Sequence, residues 1–176
     1  MPRFKSTLAL ESRSAMQQAS KMMGTGEVGE RLEEWLEAEG FTVWKFADED
    51  SRFSLKVTRD EYPPLLVLQP QSKADSILVT GDVRLTDKGQ EKLVALPEKE
   101  REFMLFDLRM VLLSTECRCQ FVPSSKSWKI VRVSKPVFYD GLTKDRFFET
   151  VDTVARAVSL VILTFQWKFG VTPYVS

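Results

Sequence analysis

Few residues in this chain have the type and spacing that would carry chemistry. Its 176 residues include no histidine and 2 cysteines, Cys117 and Cys119. Without imidazole there is no Ser-His-Asp or Cys-His nucleophile, no imidazole general base, and no usual ligand set for zinc or haem. The Cys-x-Cys pair has no second pair to complete a metal site. On a strand, Cys117 and Cys119 share one face with Phe121, while Glu116, Arg118 and Gln120 take the other. That placement reads as two reduced core thiols. Asp48, Glu49 and Asp50 offer the hard oxygens that Mg²⁺ or Ca²⁺ takes. They lack the spacing, central glycine and closing glutamate of an EF-hand, so a polar turn is expected. Asp140-Gly141 likewise reads as a turn, and no Lys-Ser/Thr follows Gly24-Thr25-Gly26 at phosphate-loop distance. Carboxylate, lysine or tyrosine chemistry remains open in principle. The expectation is a protein that is not an enzyme, with no cofactor and no metal.

Charge is the more telling pattern. The chain balances 25 basic against 25 acidic residues, so nothing draws it as a whole toward nucleic acid or a membrane. Locally the balance breaks. Residues 27–50 hold 9 acids against Arg31 and Lys45, a net of −7. Residues 117–139 hold no acid against Arg118, Lys126, Lys129, Arg132 and Lys135, a net of +5. Two readings stand: the regions meet across a subunit interface and steer self-association, or they neighbour each other within one chain and cancel. The basic segment also supports an alternative from another class. In a nucleic-acid binder using Lys126, Trp128, Lys129, Arg132 and Lys135, the indole would stack a base while the cations hold phosphate. Against that, Trp128 and Ile130 alternate and can face a core together, and the chain has neither an aromatic RNA-recognition motif nor a glycine-rich RNA-clamping loop.

The elements that must position these groups are organised around a closing helix over residues 142–169. Thr143 is placed to cap it, Asp145 lies in its first turn, and Gly170 stands just past its end. Phe147, Phe148, Val151, Val154, Ala155, Val158, Val161, Ile162 and Phe165 recur at steps of three and four. From Ala157 to Trp167 only Ser159, Thr164 and Gln166 interrupt the apolar run, so its second half must be buried in a core or against a partner. The run is too short, and Arg156 too near, for a membrane span.

Ahead of it, residues 26–39 read as a helix burying Val28, Leu32, Trp35 and Leu36, with an acidic outer face and Gly40 at its end. Strand-like segments follow over 41–47, 53–57, 65–68 and 77–85, with Gly81-Asp82 in the last as a bulge or bend. A helical region spans 87–114 and is divided by Pro97, which is expected in the first turn of the second piece. Asp87 with Gln90 has capping-box spacing if Asp87, not Thr86, is the cap. In the longer piece Phe103, Phe106, Met110 and Leu113 form a stripe, widened by Leu105, Leu108, Val111 and Leu112, which predicts a second core helix. Segments 117–122 and 128–139 complete the sheet. Strands grouped between helices, without strict alternation, give an α+β domain with a largely antiparallel sheet packed against helices, in the order α-βββ(β)-α-ββ-α.

Residues 25–176 are expected to form this single domain, large enough to bury about 70% of its unfolded surface. Residues 1–24 are basic, with Arg3, Lys5, Arg13 and Lys21 against Glu11, and carry little apolar pattern. They read as a poorly ordered arm, with a targeting segment or an upstream extension of the start as alternatives.

At this element order, and at Val137-Phe138-Tyr139-Asp140-Gly141-Leu142-Thr143 leading into a helix, the chain resembles the type III secretion chaperone-like superfamily. It is similar above all to an uncharacterised archaeal family with that layout, through "LPEKEREFMLF" within residues 93–106 and "YDGLTKDRFF" at the entry to the last helix. The resemblance spans residues 26–170. It implies that fold, and a role in dimerising and holding extended protein segments; it implies no catalytic residues. Secretion chaperones are acidic overall, whereas this chain is neutral.

The sequence therefore predicts a cytoplasmic, non-enzymatic protein-interaction module of chaperone or adaptor type. Its expected partners are a second copy of itself, as a homodimer, and a protein client; no membrane is expected. Phe147, Val154, Val158, Val161, Ile162 and Phe165 are the residues expected to pack, with their exposed subset forming the interface. Apolar stripes on three helices exceed what one sheet face obviously buries, and an exposed remainder would mark a docking surface.

Overall fold

The computed structural model describes residues 25–123, 128–170 and 173–175. The expected arm over residues 1–24, and Lys126 of the basic segment, lie outside the described residues.

The chain runs α1 (Thr25–Ala38), β1 (Thr42–Lys45), β2 (Ser51–Thr58), β3 (Leu65–Pro70), β4 (Ser76–Arg84), α2 (Asp87–Ala95), α3 (Glu98–Leu113), β5 (Arg118–Val122), β6 (Ile130–Phe138), a 3₁₀ turn (Tyr139–Gly141), α4 (Lys144–Phe169) and β7 (Tyr174–Val175). The strands form one antiparallel sheet in the order β1-β2-β3-β4-β6-β5, and β7 pairs with the end of β4. The fold is α+β: one antiparallel sheet packed against four helices.

Strand alternation decides which face the helices cover. Phe53, Leu55 and Val57 on β2, Leu65 and Val67 on β3, Ile77, Val79 and Val83 on β4, and Val131, Val133 and Val137 on β6 all turn to the helices. The opposite face carries the cross-strand row Trp44, Lys56, Leu66, Thr80, Ser134 and Arg118, and no helix covers it among the described residues.

α4 lies against the two central strands, β4 and β6. Thr143 caps it by accepting the Arg146 N–H at 3.2 Å. Gly170 closes it at φ 57°, donating its N–H to the Gln166 carbonyl at 2.8 Å, in the left-handed conformation that glycine takes without strain. Phe147, Val151, Val154, Val158, Val161 and Phe165 are buried beneath it. α1 packs beside α4 over β1 and β2 through Val28, Leu32 and Leu36, while the half-buried Trp35 meets Phe147 with ring centroids 6.2 Å apart.

Three local expectations are corrected. Gly81-Asp82 is neither bulge nor bend, because β4 and β6 pair without a register shift from Ser76 to Arg84. Gly81 is there because α4 passes close: a Cβ on it would stand 2.6 Å from Val158 Cγ2. Asp82 is there for its cross-strand partner, since Arg132 Nε and Nη2 donate to its two carboxylate oxygens at 2.7 Å each on the face away from the helices. Thr86, not Asp87, caps α2 by accepting the Gly89 N–H at 3.2 Å. Pro97 is the N-cap of α3, one position outside the first turn where it was expected, and β7 is a strand the sequence pattern did not signal.

Candidate interaction surface

The largest departure from expectation is the rotation of α3. The sequence pattern places Phe103, Phe106, Met110 and Leu113 in the core. In the structure α3 buries Met104, Leu108 and Leu112, and leaves Phe103 61%, Phe106 59%, Met110 52% and Leu113 73% exposed. Both sets are valid helical stripes, and they lie on opposite sides of the same helix. Two lateral contacts accompany this orientation. On one flank Asp107 receives Lys168 of α4 at 2.7 Å; on the other the Arg109 guanidinium lies 5.3 Å over the Phe121 ring of β5. The helix is seated between α4 and the sheet edge, and its second apolar stripe can only point outward.

α4 adds to that outward surface. The Asp107–Lys168 pair and the contact of Cys117 Sγ with the Thr153 carbonyl at 3.9 Å set α3 antiparallel to α4. Along the side of α4 opposite its buried stripe run Leu160, Leu163 and Trp167, with Trp167 86% exposed. The two helices therefore present parallel apolar stripes away from the sheet. Exposed apolar area of this kind, concentrated on adjacent elements, marks an interaction surface.

The six residues of α4 expected to pack, with an exposed subset at an interface, are chiefly core residues. Phe147, Val154, Val158, Val161 and Phe165 are buried, and Ile162 is half-buried against the same core. All six pack the core, and of them only Ile162 keeps part of its surface exposed. The signal that would have found the exposed stripe was present: α3 is apolar on opposite sides, and the chain buries only one of them.

The nucleic-acid constellation is dispersed. Trp128 is 4% exposed, stacked on Phe165 with centroids 5.4 Å apart and edge-on to Phe121 at 5.6 Å, so its ring faces are taken. Arg132 is held by Asp82, and Lys135 pairs with Glu116 at 3.1 Å. Of the described members only Lys129 is exposed without an ion pair.

The acidic and basic regions are also located. α1 lies over β1 and β2, whereas the basic segment is β5 and β6, at the far end of the sheet. Glu33 pairs with Lys45 at 2.6 Å and Glu39 with Lys144 at 2.7 Å. The Lys144 ammonium holds the Glu39 carboxyl below its ordinary value, first by hydrogen bonding and then by charge. Among the described residues no ion pair joins α1 to the basic strands, so the two regions do not cancel within the chain.

Asp48 accepts from the Asp50 N–H at 3.3 Å and from the Ser51 hydroxyl, which makes Asp48-Glu49-Asp50 a turn closed on itself. Cys117 and Cys119 are free thiols, each partly buried. Burial pushes both upward, and Cys119 to about 11 from 9.0. A thiol raised by that amount has a roughly 100-fold smaller thiolate fraction near neutral pH. Iodoacetamide labelling of the folded protein at about pH 8 should therefore be slow at Cys119, on the order of 100-fold slower than for a free thiol, and fast in denaturant. Rapid labelling of the folded chain would contradict the burial.

Beside the stripe, on the flank of α3 turned away from α4, lies a half-open groove of about 980 Å³. α2 contributes Leu93 and Val94, α3 the wall from Glu98 to Arg109, and the turn before β6 contributes Trp128 and Lys129. Among the described residues no three Asp, Glu or Cys side chains converge as a metal would need, and no helix is long and apolar enough to cross a membrane.

The chain is similar to an uncharacterized protein from Methanothermobacter thermautotrophicus whose crystal structure superimposes with a TM-score of 0.72 at 28% identity, over 80% of this chain and 98% of that one. No curated protein matches it. The model of the family described as "Uncharacterized conserved protein (DUF2299)" matches residues 28–165, a span that runs from the buried stripe of α1 to Phe165 and takes in the whole of α3, and the chain belongs to that family.

Proposed function

We propose that this protein is a non-enzymatic protein-interaction module, of type III secretion chaperone-like architecture, that self-associates through the outward face of α3 and the adjoining turns of α4. The observation that carries the reading is the stripe Phe103, Phe106, Met110 and Leu113, more than half exposed at every position on a helix already anchored through its other side. α3 is apolar on two opposite sides, and the isolated chain buries only one of them. Leu163 and Trp167 widen the same surface. A two-fold arrangement suits it, since a single patch serves both subunits. Two free thiols held protonated by burial suit a reducing compartment, the cytoplasm in this reading.

Protein contact is favoured over nucleic acid because Trp128 is in the core and Arg132 and Lys135 are paired. It is favoured over catalysis because the chain has no histidine and its thiols are pushed away from nucleophilic values. Sedimentation velocity over a wide concentration range tests the reading. A species of twice the chain mass is expected, and a monomer at every concentration would overturn it.

A further inference from the structure

The groove beside α3 differs in chemistry from the apolar stripe it adjoins. Its apolar lining comes from Leu93, Val94, Phe103, Leu105, Phe106 and Trp128. Its rim carries four cations, Lys99, Arg101, Arg109 and Lys129, against two carboxylates, Glu98 and Glu102. Among the described residues none of the four cations forms an ion pair; Arg109 lies over the Phe121 ring, whereas Asp107 on the same helix is paired with Lys168. The α3 wall from Glu98 to Arg109 spans about 16 Å, three helical turns. That is the length over which a bound helix sets anchors at i, i+3 or i+4, and i+7.

We infer that this groove receives an acidic amphipathic helix of a protein client, apolar anchors on the floor and carboxylates against the cationic rim. The inference rests on the interaction-module reading and names the chemistry of the partner. The groove is open along one side, which admits a chain segment and leaves a small ligand largely in water. Glu98 and Glu102 stand on the wall, where a continuous phosphate backbone would meet them, whereas a helix can leave a gap in its carboxylates. The groove shares Phe103 and Phe106 with the outward stripe, so the client and the second copy use adjoining, partly overlapping parts of α3.

The test uses two synthetic helical peptides of equal length and leucine pattern, one with glutamate and one with lysine on the polar face. Binding to the full chain is followed by fluorescence anisotropy. The glutamate peptide should bind at least about tenfold more tightly at low ionic strength, and the difference should shrink as salt screens the rim. Lys99→Glu combined with Lys129→Glu should abolish or reverse the preference; both side chains are exposed and unpaired, so the fold is retained. Equal binding of the two peptides, no saturable binding of either, or displacement of the glutamate peptide by poly(U) at equal charge would each overturn the inference. Sedimentation of the same samples separates the two levels. Intact self-association without peptide preference removes the client chemistry alone, whereas a monomer removes the reading beneath it.

Discussion

Replacing Gly81 by alanine is expected to destabilise the protein by about 1–3 kcal/mol, the usual cost of overpacking a filled core. Gly81 sits mid-strand in β4, opposite Val133 of β6, where an ordinary β residue would strengthen the ladder. The added Cβ would stand 2.6 Å from Val158 Cγ2 and 3.0 Å from Leu65 Cδ2. Neither neighbour yields easily: Val158 is β-branched and stiff at χ1 on the buried side of α4, and Leu65 is fully buried. Relief therefore requires α4 to lift from the sheet. Removing the obstruction should help, so Gly81→Ala/Val158→Ala is expected to be more stable than the sum of its parts, with a coupling of about 0.5–3 kcal/mol. Chemical denaturation of the four proteins of the cycle measures it. A neutral Gly81→Ala, or strict additivity, would show that α4 does not set the spacing.

The same position shows where sequence reading stops. A glycine inside an alternating strand announces that something is unusual, but not whether the backbone bends or a neighbour comes close. Here the neighbour is α4, nearly eighty residues later in the chain, and no local pattern contains it. The ends and the buried stripe of α4 were legible, because Thr143, Asp145, the spaced apolar residues and Gly170 are local devices that act within one or two turns. Its second half was expected to be buried, and in the single chain Leu160, Leu163 and Trp167 are exposed. β2 and the buried face of α1 were legible for the same reason: one period, one wet side. Arg132 read as one of a run of cations, and only the register of β4 with β6 reveals that it is the half-exposed partner of the buried Asp82 carboxylate.

α3 failed differently. Its two stripes, Phe103/Phe106/Met110/Leu113 and Met104/Leu108/Leu112, satisfy helical periodicity equally, and the bulkier one was the natural choice for the core. What decides between them is tertiary. With Met104, Leu108 and Leu112 packed inward, Asp107 meets Lys168 on one flank and Arg109 lies over Phe121 on the other. Ambiguity of this kind is informative, because a sequence under selection only for a monomer core would have polar residues on the outward side. The candidate surface was thus visible as an excess of apolar residues and invisible as a location.

Under the proposed self-association through α3, Met110→Glu is expected to give a monomer while leaving the fold intact. Met110 is 52% exposed in the single chain, on the side of α3 opposite its buried stripe, so the substitution should change monomer stability by no more than about 0.5 kcal/mol. In the association it would place a carboxylate among Phe106, Leu113 and their counterparts. An isologous contact repeats each substitution on both subunits, so two charges are desolvated together. A combined cost of about 3 kcal/mol already weakens association roughly 100-fold. Leu108→Ala provides the contrast two residues away: Leu108 is fully buried, and its truncation should cost about 2–5 kcal/mol of folding stability through the cavity left behind. The pair separates two properties that one helix combines. If Met110→Glu unfolds the chain, α3 is rotated from the orientation described; if it sediments with the mass of the unsubstituted protein, the association lies elsewhere. Loss of self-association with an unchanged melting transition would place the interface on the outward stripe of α3.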